Sequence, residues 1–445
     1  MIKNVSAFLN RSFQLKENGT TIRTEVIAGL TTFTAMAYIL VVNPAILSET
    51  GMDVGALITA TAIAACVGTA LLALLTNYPL AMAPGMGLNA FFTYTICIGM
   101  GIPWQAALAM VFYNGLLFLL LSFTGFRRKI ADAIPNHLKT GITCGIGLFI
   151  AFIGLKNAGI VVSNPATLVS LGDLSAPVPL LVLFGIFLTI VLIVKRIPGA
   201  ILLSIMVLTT IGFFIPGDDG RSLTQLPDGA FSLPKDASEL FFALDFLYPI
   251  VNFAQVWPVI LALLFVDLFD TLGTLIGVSK RAGLLDEEGR LPKMPQALGA
   301  DAAATMIGAC VGTSTTTTYI ESAAGVEEGG RTGLTAMVVA TCFLASVFVT
   351  PLIMAVPFVV TAPALVVVGI FMMQGIRDID LSDFTIAAPF VITMLVMPLT
   401  FSISEGIALG IIVYVAMMAG LGRIKEVSPI ATVLAVLFLM HYVFL

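Results

Sequence analysis

Four polar side chains stand out in this chain because everything around them is apolar: Asn89, Asp267, Asp270 and Glu321. Glu321 follows a threonine run in GTSTTTTYIESAAG (312–325), Asp267 and Asp270 lie in FVDLFDTLGTLIG (265–277), and Asn89 lies in LAMAPGMGLNAFFTY (80–94). A charge at the centre of a bilayer costs ~2.5–3.5 kcal/mol on insertion scales, so such residues are functional candidates by default. The i,i+3 spacing of Asp267 and Asp270 puts both on one helix face. Carboxylates, an amide, the hydroxyls of Thr317 and Thr318 and exposed backbone N–H groups together suit a neutral heterocycle with ring N–H donors and carbonyl acceptors. A carboxylate withdrawn from water can also hold a proton at neutral pH, so one glutamate can couple substrate to proton.

Each of these residues has a plainer use as well. Asp270 precedes Thr271 and Thr274 and can bond a neighbouring helix, and Asn89 can tie two spans together. Asp301 and Glu405 fall near span ends, where solvated or interfacial roles suit them, and Glu327, Glu328 and Arg331 read as an ordinary turn. Phe33, Phe91, Phe92 and Tyr319 can stack on a planar ligand, but among 31 Phe any one serves packing or lipid contact equally well.

The segments that must position these groups are membrane spans. The chain has 445 residues, 58% hydrophobic and 11% charged, with mean hydropathy +1.05; soluble domains carry about 25% charged residues. The chain reads as an all-α polytopic membrane protein. About fourteen apolar cores follow from its punctuation by Gly, Pro and charge: 25–46, 54–75, 80–99, 103–124, 137–158, 178–195, 199–216, 255–277, 296–311, 314–325, 332–351, 361–376, 384–400 and 404–421. The run 430–445 is short for a span and has no assigned place. No cleavable signal peptide is evident at the polar start. Lys3, Arg11, Lys16, Arg23, Arg127, Arg128, Lys129, Lys195, Arg196, Lys280, Arg281, Arg290, Lys293, Arg423 and Lys425 fall on one side of that count, which the positive-inside rule makes cytoplasmic, N-terminus included. The loop 217–254 lies outside and is acidic, with Asp218, Asp219, Asp228, Asp236, Glu239 and Asp245.

The chain also reads as two halves. Pro135-x5-Gly141-Ile142 and Pro363-x5-Gly369-Ile370 match at an offset of 228 residues, which lays the third span roughly over the tenth. Seven spans per half is an odd number, so the halves insert with opposite topology, as in many secondary transporters. Both the third and tenth spans are interrupted. Pro84, Gly85 and Gly87 disfavour helix, and the β-branched run Thr315–Thr318 favours extended backbone. Broken segments at corresponding places in two halves point to the binding site. The five cysteines show no paired or metal-ligand spacing, two histidines offer no metal set, and the net charge of −5 gives no sign of nucleic acid. No cofactor is implied.

At these residues the chain resembles a known family. EVIAGLTTFTAMAYILVVNPAIL (25–47), APGMGLNAFFTY (83–94), FVDLFDTLGTLIGV (265–278) and GTSTTTTYIESAAGVEEGGRTG (312–333) are similar to the AzgA-like hypoxanthine–guanine permeases, a branch of the nucleobase–cation symporters related to the uracil permease. The likeness runs from about residue 20 to 425. It implies two inverted repeats of seven spans, with short strand segments in spans 3 and 10 crossing at the substrate site. The implied core domain is 25–124 with 255–351 and the gate domain 137–216 with 361–421, between terminal segments 1–24 and 422–445. The implied activity is proton-driven purine import through an inner membrane by an elevator-like motion. The family's binding groups fall on Asp267, Glu321 and Asn89, with Asp270 the second aspartate of span 8. Thr318 and Phe91 complete the expected binding set, Thr317 supports it, and Glu321 and Asp267 are the expected proton carriers. Expected partners are a purine nucleobase, protons and the lipid bilayer; a homodimer is known in related folds.

Three readings compete. An adenine-preferring or uncoupled purine permease fits the same residues. An intramembrane aspartyl protease needs facing aspartates on separate helices and a GxGD-like sequence, which Asp267 and Asp270 on one helix do not offer. An anion transporter of the same fold has no use for Glu321 in its site.

Overall fold

The structure, a computed structural model, describes residues 2–124, 133–217, 220–227, 229–287 and 290–444. The expected positive cluster Arg127, Arg128 and Lys129, and the loop acids Asp218, Asp219 and Asp228, lie outside those residues. Every one of the predicted apolar cores carries an element. Among the described residues, nine helices are long and apolar enough to cross a bilayer, and Met86–Gly99, Ala200–Gly212, Phe384–Thr400 and Pro429–Val443 are shorter apolar helices. The count of fourteen spans therefore stays an expectation.

The third and tenth predicted spans are broken as their composition requires. Strand β1 (Met82–Pro84) leads into a short helix, Met86–Ala90, which continues as the π-helix Phe91–Gly99. The last strand, β4 (Thr316–Thr318), precedes the helix Ser322–Glu327. The two strands pair antiparallel, with Met82 opposite Thr318, Ala83 opposite Thr317 and Pro84 opposite Thr316. Two further bonds extend the ladder: Gly85 N–H to Thr315 C=O (2.9 Å) and Tyr319 N–H to Ala81 C=O (2.9 Å). Extended backbone at membrane depth needs partners on both edges, and hydroxyls supply them. Thr69 Oγ1 donates to Met82 C=O (2.9 Å), Thr305 Oγ1 donates to Thr316 C=O (3.1 Å), and Ser322 Oγ accepts from Ala81 N–H (3.0 Å). The helix Met294–Val311 ends in Gly312 at φ +95°, a left-handed turn that glycine adopts without strain and that starts the threonine run.

Packing falls into two groups. Trp104–Thr124 lies on Met294–Val311, and Gly333–Ser346 on Val54–Thr76 and Ile22–Met36. In the second group Asn136–Asn157 packs on Ala362–Met372 and Phe384–Thr400, and Phe384–Thr400 on Ile403–Gly420. Asn136–Asn157 and Ala362–Met372 hold the matched Pro-x5-Gly-Ile stretches, and they meet where Gly147 faces Gly369: a Cβ on Gly147 would lie 2.6 Å from Gly369 C=O. Only paired glycines allow so close a crossing.

Three features go beyond the sequence reading. A surface hairpin, β2 (Val161–Asn164) with β3 (Leu168–Leu171), follows Asn136–Asn157. The described part of the run 430–445 belongs to the helix Pro429–Phe444 along Ile403–Gly420, with Phe438 stacked on Trp257 at 5.5 Å and the Tyr442 hydroxyl bonded to Glu405. The described part of the 217–254 loop is tied to helix ends, through Ser232 N–H to Phe348 C=O (2.9 Å) and Phe242 N–H to Cys310 C=O (2.7 Å).

Candidate functional site

A cavity of about 260 Å³ opens where the strand pair meets both packing groups. One wall is the helix Phe253–Arg281, which contributes Val266, Phe269, Asp270, Gly273 and Thr274. Those positions step by three and four residues, the stripe that one helix face presents. Strand β4 and its exit supply Thr317, Thr318, Tyr319 and Glu321, and the start of the helix after β1 supplies Met86, Gly87 and Leu88. The first N–H groups of a helix have no intrahelical acceptor and are open to a ligand. The opposite wall comes from the other group: Ile142, Thr143 and Ile146 of Asn136–Asn157, with Val368, Phe371 and Met372.

Among the described residues, the lining holds two carboxylates, Asp270 and Glu321, and no Lys, Arg or His. Tyr38 Oη donates to Glu321 Oε1 at 2.6 Å. Thr318 is 2% exposed, and its hydroxyl has no partner among the described residues although it borders the cavity. A buried hydroxyl is normally bonded, so this one calls for a ligand atom. Thr317 Oγ1 is shared with Thr271 Oγ1 at 2.9 Å, and Thr271 Oγ1 donates to Asp301 Oδ2 at 3.0 Å, which fixes the strand against two helices.

The expected site residues do not all meet at this cavity. Glu321, Thr318, Thr317 and Asp270 border it; Asp267, Asn89 and Phe91 do not. Asp267 is fully buried and accepts from Asn114 Nδ2 at 3.1 Å, facing Trp104–Thr124. The reason is rotational. Residues three apart on a helix share a broad face but sit about 60° apart around the axis, and the cavity selects the Asp270 side. Asn89 is fully buried and its Oδ1 accepts from Ser314 Oγ, joining the helix after β1 to the turn before β4. Phe91 is wholly buried; the rings that border the cavity are Tyr38, Phe269, Tyr319 and Phe371. Asp301, expected near a solvated span end, is instead fully buried behind β4.

Sequence reasoning missed Tyr38 and the second-group wall. Tyr38 sits in the turn between Ile22–Met36 and Ile39–Ser48, where Leu40 N–H bonds Ala37 C=O (3.1 Å) and Val41 N–H bonds Tyr38 C=O (3.0 Å). These tightened i+3 bonds lie just before Pro44, which removes a donor from the second piece. The available signal was that Tyr38 is the only Tyr in 25–46.

The Permease family model Xan_ur_permease matches residues 23–409. MJ0326 of Methanocaldococcus jannaschii is 48% identical over 441 residues, covering 99% of each chain. The adenine permease AdeP of Escherichia coli is 43% identical over 98% of this chain and 96% of its own length. The guanine/hypoxanthine permease PbuG of Bacillus subtilis is 44% identical over 97% of this chain and 99% of its own. The transmembrane domain of the cyanobacterial bicarbonate transporter BicA superimposes with a TM-score of 0.62 at 18% identity, over 85% of this chain and 96% of that one, and so shares the fold.

Proposed function

The chain belongs to the xanthine/uracil permease family, whose members are transporters rather than enzymes, and we propose that it carries purine nucleobases, hypoxanthine or guanine foremost, together with protons. The observation that carries this reading is the pair Asp270 and Glu321 facing one cavity that has no cationic side chain in its lining. Such a site repels anions and favours a ligand rich in N–H donors, because carboxylates accept charge-assisted bonds from them. Purines fit: the ring N–H groups bond Glu321 and Asp270, while Thr318 and the N–H groups of Met86–Leu88 serve ring nitrogens and a carbonyl. At about 260 Å³ the cavity is smaller than the ~300–1,000 Å³ pockets of drug-sized ligands, and suits a single fused-ring base.

The names of the relatives support the purine class, and both guanine/hypoxanthine and adenine permeases are among them at nearly equal identity. An adenine-preferring permease is therefore the second reading. Transport follows if the group holding β1, β4 and Phe253–Arg281 moves as a core against the helices that supply Ile142, Thr143, Ile146, Val368, Phe371 and Met372, carrying the cavity from one membrane face to the other. The test is uptake of labelled hypoxanthine by cells expressing the protein, challenged with unlabelled bases and with a protonophore. Hypoxanthine and guanine compete, and the protonophore abolishes accumulation. Competition by adenine alone favours the second reading, and accumulation that survives the protonophore removes proton coupling.

The cavity wall also ranks the two aspartates. Asp270→Asn lowers hypoxanthine affinity by roughly tenfold or more, the worth of one charge-assisted bond. Asp267→Asn has the smaller effect on affinity and lowers thermal stability instead, because its partner Asn114 is buried beside it. Saturation binding and thermal melting of the two purified variants check the order; equal losses of affinity would restore Asp267 to the site.

A further inference from the structure

Tyr38 lies outside every motif role assigned so far, yet it touches the residue on which the functional reading turns. Its side chain is 1% exposed, its ring borders the cavity, and its hydroxyl donates to Glu321 Oε1 at 2.6 Å. It sits in the turn between the two pieces of the first long span, an element remote in sequence from Glu321. Glu321 itself stands at the entrance to the six-residue helix Ser322–Glu327. A glutamate has three rotatable side-chain bonds, and a binding carboxylate gains from a second group that locks its orientation.

We propose that Tyr38 is a positioning residue: its hydroxyl fixes the plane of the Glu321 carboxylate so that Oε2 is the oxygen presented to the cargo. This rests on the reading of Glu321 as the purine-binding group. The chemistry is specific. A phenol has one proton, and spending it on Oε1 leaves Oε2 for a ring N–H of the base. When Glu321 takes up a proton, the bond from Tyr38 to Oε1 directs that proton to Oε2, where it faces a ring nitrogen or carbonyl oxygen of the cargo. The other titratable side chains on the cavity wall are Asp270, on Phe253–Arg281, and Tyr319, at the exit of β4. Tyr319 donates to Pro84 C=O at 2.5 Å and is committed there. The opposite wall brings no titratable side chain to the lining.

The test is Tyr38→Phe, which keeps the buried ring and removes only the hydroxyl. Binding of tritiated hypoxanthine, guanine and adenine is measured on the purified protein, together with the infrared carboxyl band that Glu321→Gln removes. The expected result is about a tenfold loss of affinity for the base bound best, the size of one hydrogen bond to a charged group. The Glu321 band shifts as well, while the melting temperature without ligand falls by no more than about 4 °C, the cost of one buried hydrogen bond. Unchanged affinity, or a loss of affinity with the Glu321 band unmoved, overturns the positioning role. Absence of binding by the unchanged protein overturns the functional reading and this inference with it, so the two failures are distinct. If Tyr38→Phe does not yield folded protein, the band is read instead in Tyr38→Trp and Tyr38→Met, and a band unmoved in both overturns the proposal.

Discussion

Replacing Glu321 by glutamine lowers hypoxanthine affinity by on the order of 100-fold and brings accumulation in cells to the level of cells without the protein. Glutamine has nearly the same shape, so the cavity of about 260 Å³ persists and Tyr38 still finds an acceptor. What disappears is the charge. A hydrogen bond to a charged group contributes about 1.5–3 kcal/mol, and one amide N–H turned towards a ring N–H adds an unpaired donor in a closed site. About 2.7 kcal/mol is a factor of 100. Loss of accumulation also follows from the proposed coupling, since an amide takes up no proton at neutral pH. Binding and uptake measured in parallel separate the two effects. Wild-type accumulation by Glu321→Gln would remove Glu321 from both roles.

Glu25→Ala should leave the site chemistry in place and damage the protein's stability. Glu25 is fully buried at the start of Ile22–Met36. Its Oε2 accepts from Thr332 Oγ1 (2.8 Å), Thr335 Oγ1 (2.7 Å) and Thr335 N–H (3.1 Å), and Oε1 accepts from Arg331 N–H (2.9 Å). This carboxylate closes the N-terminus of Gly333–Ser346, where negative charge is favoured by the helix dipole. Truncation removes an acceptor from three backbone N–H groups, those of Arg331, Thr332 and Thr335, and from the Thr332 and Thr335 hydroxyls; the Thr335 groups keep only longer bonds, to Thr332 C=O (3.2 Å) and Glu25 C=O (3.3 Å). Breaking a buried charged network of this kind costs about 3–5 kcal/mol. The expected outcome is a melting temperature lowered by more than ~5 °C, read by fluorescence during heating, with residual folded protein still binding hypoxanthine at near the original affinity. An unchanged melting temperature would mean that water replaces the carboxylate at no cost.

Much of the architecture was legible because lipid imposes simple demands. Apolar run length located the elements, and the two interruptions, MAPG and STTTT, located the strand pair, since proline, glycine and clustered β-branched residues cannot propagate a helix there. Glu321 was legible for the same reason: a charge in such a place needs a purpose. What was not legible is rotation and long-range partnership. The spacing of Asp267 and Asp270 could not say which of the two would face the cavity, because that depends on how Phe253–Arg281 turns against β4 and Trp104–Thr124. Tyr38 could not be paired with Glu321 across 283 residues of sequence. Asn89 bonds Ser314 of the other broken segment, a partnership across 225 residues that spacing along the chain does not show. The shared fold with a bicarbonate transporter carries the same lesson: architecture is common to carriers of different cargo, and the side chains at the cavity must decide which one.

The most direct measurement is exchange through the purified protein in liposomes. Vesicles loaded with unlabelled hypoxanthine should take up external labelled hypoxanthine, guanine should compete, and vesicles holding Glu321→Gln should show no exchange above protein-free liposomes. Exchange of labelled bicarbonate or another small anion, with none of any purine, would contradict the account.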